Sequence, residues 1–72
     1  MEQQITESLG LELRGCFNSH TASTMWKVWL YDNSTGMSLQ VCDGYYTSKH
    51  KAEQAFAEAL GFLRHSLQLN GD

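Results

Sequence analysis

GYYTSKHKAEQAFAEALGFLRHSLQL, from Gly44 to Leu69, is the stretch long and periodic enough to decide the fold. Within it Ala52, Phe56, Ala59, Leu63 and Leu67 recur at spacings of three and four, and Ala55, Leu60 and Phe62 widen the stripe. That is the pattern of an amphipathic helix with one apolar face. Thr47 and Ser48 are both N-cap candidates, because a hydroxyl there accepts from an otherwise unpaired backbone N–H. The spacing predicts a helix over 48–69, stopped by Asn70-Gly71. Its alanines allow close approach to a sheet. Its first turn holds Lys49, His50 and Lys51 at the positive end of the helix dipole, where basic side chains are unfavourable by a few tenths of a kcal/mol. Two readings follow. Either these charges reinforce the free N–H groups as an anion site, or the turn is simply solvated, with Lys49 pairing with Glu53.

The sheet this helix would cover lies upstream. Leu11, Leu13 and Phe17 alternate with Glu12, Arg14 and Cys16, a half-buried strand in which Gly15 marks a bulge. Asn18 to Thr24 is small and polar and reads as a loop. Met25 to Asp32, MWKVWLYD, has the aromatic and β-branched composition of a strand, with Trp26, Val28 and Leu30 on one face and Met25, Lys27, Trp29 and Tyr31 on the other. Asn33 to Gly36 makes a turn. In the next strand Met37, Leu39 and Val41 alternate with Ser38, Gln40 and Cys42, and Asp43-Gly44 ends it. Residues 1–10 read as a flexible arm or a short helix. The expected fold is α+β in a single domain: a three-stranded antiparallel meander over 11–43 with one long C-terminal helix packed on one face.

Seventy-two residues with a net charge of -3 limit the function. Dedicated nucleic-acid binders carry a clustered basic surplus, which this chain lacks. No run approaches a membrane span and the amino terminus lacks a signal peptide's basic start and apolar middle, so a cytosolic location is expected. Cys16 and Cys42 are too few for a disulfide framework, and they read as free thiols. Cys16 with His20, and Cys42 with His50, lack the tight paired spacing of structural zinc sites, so no metal and no cofactor is expected. His20, His50 and His65 are scattered, and there is no Gly-rich phosphate loop or paired-carboxylate cleft, which argues against an enzyme.

SKHKAEQAFAEAL resembles the last helix of double-stranded RNA-binding domains. Ser48, Lys49, Ala52 and Ala57 match that family's pattern, His50 stands at its second lysine and Glu53 at its third. The order of three strands and then this helix extends the resemblance over roughly residues 11–67, without the family's amino-terminal helix. The chain is also similar to AP2-type and integrase amino-terminal DNA-binding domains at Trp26, Asp32, Gly36, Gly44, Ala52, Ala55 and Phe56. Those domains read DNA with an Arg-rich sheet, whereas this sheet offers Arg14 and Lys27. What both resemblances imply is a weak double-stranded nucleic-acid binder using Lys49, His50 and Lys51.

The residues themselves favour another expectation. A helix on one face leaves the other bare, with Trp29 and Tyr31 among Arg14, Lys27 and Gln40, unless residues 1–10 fold back over them. Such an aromatic patch suits protein binding. The chain therefore reads as a non-enzymatic protein-binding module acting through Trp29, Tyr31, Lys27, Arg14 and Gln40, with a second copy of itself among the candidate partners. In type, not in motif, it is similar to the small inhibitors and adaptors of phages and mobile elements, anti-CRISPR proteins included.

Overall fold

A computed structural model describes residues 1–42 and 44–70, so Asp43 of the expected turn and Gly71 of the expected helix stop lie outside the described residues. The fold is α+β. Strands β1 (Glu2–Gln4), β2 (Leu9–Asn18), β3 (Ser23–Asp32) and β4 (Met37–Gln40) are followed by one helix, α1 (Lys49–Asn70). The sheet is antiparallel in the order β1-β2-β3-β4. The fourth strand is the correction to the expected meander. Residues 1–10 are neither an arm nor a helical turn, because Glu2, Gln3 and Gln4 pair with Glu12, Leu11 and Gly10.

The β2–β3 hairpin is the frame. Its register runs unbroken from Leu9↔Asp32 to Asn18↔Ser23, which puts Leu11 opposite Leu30 and Leu13 opposite Val28 on the inner face. Both strands are longer than expected, and the loop shrinks to residues 19–22, where Ala22 takes a left-handed φ of 52°. On the inner face Ala52 and Phe56, one helical turn apart, meet Leu11, Leu13 and Val28 to form the buried core. Burial of each large apolar side chain contributes about 1.5–3 kcal/mol. Ser48 caps the helix, its Oγ accepting from the Lys51 N–H at 3.4 Å.

Two glycines of β2 carry the opposing aromatics of β3. Gly10 lies under the Tyr31 ring, so that a Cβ there would stand 2.1 Å from the phenol carbon, and Gly15 lies under Trp26, with 2.6 Å to the indole. Gly15 is therefore not a bulge; β2 passes straight through it. Parity puts the Gly10–Tyr31 contact on the outer face and the Gly15–Trp26 contact on the inner one.

Beyond Gln40 the ladder with β3 loosens. The Val41 N–H still donates to the Val28 carbonyl at 3.0 Å, and Tyr46 later returns to exchange two bonds with Trp26. Cys42 was expected on the outer face. Its Sγ instead accepts from the Val28 N–H at 3.4 Å, and the side chain packs against the core. The alternation ends where the pairing does.

The helix covers less than its pattern promised. It packs on β2 and β3, while Met37, Leu39, Val41 and Phe62 stay exposed. Phe62 does not belong to the buried stripe. Phe17, expected inside, is exposed as well, since it lies near the far end of the hairpin.

Candidate functional site

The outer face is assembled by register. Glu12 is opposite Trp29, Arg14 opposite Lys27, Cys16 opposite Met25, and Trp29 has Gln40 on its other side. All five residues expected to bind a partner thus lie on one face. Arg14, Cys16, Met25, Lys27 and Trp29 line a shallow hollow of about 250 Å³.

Its electrostatics are specific. The Arg14 guanidinium forms an ion pair with Glu12 and stands 5.2 Å from the centre of the Trp29 ring, a cation–π contact worth about 0.5–1 kcal/mol at an exposed site. Arg14 is held on two sides. Lys27, directly across from it, makes no ion pair among the described residues. Like charges directly opposed across a ladder are destabilising, and the Glu12 carboxylate beside Arg14 offsets part of that repulsion.

Tyr31 and Gln40 take other roles. The Tyr31 ring lies on Gly10, and its hydroxyl donates to Gln4 Oε1 at 3.4 Å. Partial desolvation there, then the charges of Glu2 and Glu12, hold its phenol above the ordinary tyrosine value. Tyr31 and Trp29 are partly buried, and of the two alternatives expected for them, bare or covered by residues 1–10, the contact shown is Gln4 of β1 at the Tyr31 hydroxyl. Gln40 donates to the Cys42 carbonyl at 2.8 Å and the Gly44 carbonyl at 2.6 Å, so its amide holds the loop rather than facing a partner.

The basic helix start is elsewhere. Lys49 Nζ stands 5.6 Å from the centre of the Trp26 ring, on the inner side of the sheet, in place of the expected pair with Glu53. His50 Nε2 lies 3.3 Å from Gln54 Nε2, and Lys51 is exposed. Arg14 and Lys27 therefore share no surface with Lys49, His50 and Lys51. Among the described residues no three His, Cys, Asp or Glu side chains converge as metal ligands, and no helix is long and apolar enough to cross a membrane.

A second surface is not marked by the alternation of the strands or the helical stripe. Between α1 and the segment that follows β4 runs a groove of about 560 Å³ lined by Val28, Val41, Ala55, Ala59, Phe62 and Leu63. The available signal was a surplus: Met37, Leu39, Val41 and Phe62 are more apolar groups than one helix stripe can cover. No protein-family model, curated protein or solved structure matches the chain, so both surfaces are read from their own chemistry alone.

Proposed function

We propose that this chain is a non-enzymatic protein-binding module whose outer sheet face, centred on Trp29, seats an acidic side chain of its partner. The observation that supports the reading is Lys27, without an ion pair among the described residues, directly opposite Arg14 and beside an indole already held by that arginine. Trp and Arg are the residue types that most often dominate binding energy, and a preset geometry lowers the ordering cost of association. A partner carboxylate between the two cations would relieve their repulsion and gain charge-assisted bonds. Inhibitor or adaptor is the role that suits so small a module.

Co-purification from the native host, compared between wild type and Trp29→Ala with and without nuclease, tests this. The expected result is a nuclease-resistant protein partner lost with Trp29→Ala, and weakened by Lys27→Glu by at least about tenfold. A partner retained by both variants overturns it. Nuclease-sensitive association that disappears with Lys49→Glu and Lys51→Glu would transfer the function to the helix start.

A further inference from the structure

The two edges of the sheet differ in what they permit. On β1 the free-edge positions are Glu2 and Gln4, and Glu2 pairs with Glu12. Charge on a strand edge guards against further pairing. On β4 no residue from Met37 to Val41 is charged and none is proline. The Val41 N–H points to β3, so by alternation Leu39 and Met37 also bond toward β3, while the N–H and C=O of Ser38 and Gln40 point outward.

We infer that a second copy of this chain pairs antiparallel with β4 about a two-fold axis through Leu39. Symmetry limits the choice. Of the possible registers, the one centred on Leu39 sets Ser38 of each copy against Gln40 of the other and uses every outward backbone group, giving four hydrogen bonds. It puts the two Leu39 side chains together as a close pair, with Met37 opposite Val41 on the same inner face. Because two-fold pairing brings each strand against itself, a charged strand meets its own charge, and a neutral one does not. Self-pairing of β1 would gather Glu2 and Glu12 of both copies at one seam.

The chain exposes 5128 Å², against about 4,500 Å² for a compact monomer of its 8.1 kDa mass. Met37, Leu39 and Phe62 are 70%, 64% and 71% exposed. Phe62 lines one groove with Val41, and with Val41 these side chains offer at most roughly 500 Å² per copy, or on the order of 1,000 Å² across the pair, the lower limit for a specific interface. Glu58, on the groove's lining, stays at the rim in water. The seam leaves the face around Trp29 free.

Sedimentation velocity over a roughly hundredfold concentration range around micromolar is expected to show monomer giving way to dimer. Leu39→Lys, at an exposed position the monomer tolerates, should weaken the dimer by more than about tenfold with an unchanged circular dichroism spectrum. Gln3→Lys on the opposite edge should leave it intact. Amide exchange at Ser38 and Gln40 should slow as concentration rises, while exchange at Glu2 and Gln4 should not change. A monomer throughout the range, a dimer that survives Leu39→Lys, or one broken instead by Trp29→Ala overturns the inference.

Discussion

Leu11 and Leu39 flank Leu30 in the same inner row of the sheet, one on either side, yet Leu11 is 0% exposed and Leu39 is 64% exposed. Residue type and face are identical. What differs is cover: α1 lies over β2 and β3 and does not reach β4. Beyond Leu11 the row ends in Gln3 of β1, a polar strand that seals the edge. Beyond Leu39 it ends in water. A single helix on a four-stranded sheet finishes one side and leaves the other apolar, and the pattern of alternation alone cannot say which.

The largest effect that would sharpen this contrast is energetic. Leu11→Ala should cost about 3 kcal/mol, the usual range for a fully buried leucine, whereas Leu39→Ala should cost under about 0.5 kcal/mol in dilute protein. Urea unfolding measures both, and similar costs would break the contrast.

Next in size is the contact that ties β1 to the hairpin. Gly10→Ala would push the Tyr31 ring off β2, at about 1 kcal/mol, the lower end for overpacking. The wild-type phenol is raised by partial desolvation and then by Glu2 and Glu12, so it contributes stability at ordinary pH that is lost as pH climbs through its folded value. In the variant, absorbance titration should find the phenol back near the ordinary tyrosine value. A titration unchanged by the substitution would mean the ring had not moved.

The smallest effect concerns the turn leading into β4. Asp32 Oδ1 accepts from the Ser34 N–H at 2.9 Å and the Ser34 hydroxyl at 2.6 Å, and these bonds hold its carboxyl below the usual value. The contribution is present above the unfolded aspartate value of about 3.9 and disappears as pH falls below it. Thermal melts of Asp32→Asn should fall less steeply than wild type on acidification. Parallel slopes would mean that the Asp32–Ser34 bonds do not stabilise the turn into β4.

Much of this molecule can be read from its alternation. Leu11, Leu13, Val28 and Leu30 show period two, Ala52 and Phe56 show the helical repeat, and the residues of the outer hollow follow by parity. Three features do not follow, each for a physical reason. Strand β1 is held by backbone pairing, so Glu2, Gln3 and Gln4 need no apolar pattern. Gly15 has two meanings in a strand, a bulge or a bed for an aromatic ring, and only the residue opposite, Trp26, decides between them. Gln40 and Cys42 sit where the regular ladder ends, and beyond it side chains answer to nearby carbonyls and amides rather than to a face.

The two glycine–aromatic contacts also act as a check on mispairing. A hairpin slipped by one residue would turn Leu11 and Leu13 to the outer face. Slipped by two, it keeps its faces but sets Trp26 against Leu13 or Phe17 and Tyr31 against Ser8 or Glu12, where side chains occupy the space the rings need. Face parity detects the odd error and the glycines detect the even one. Ten residue pairs that would otherwise slide are thereby held to a single alignment, and with that alignment Arg14, Lys27 and Trp29 are brought together on the same surface.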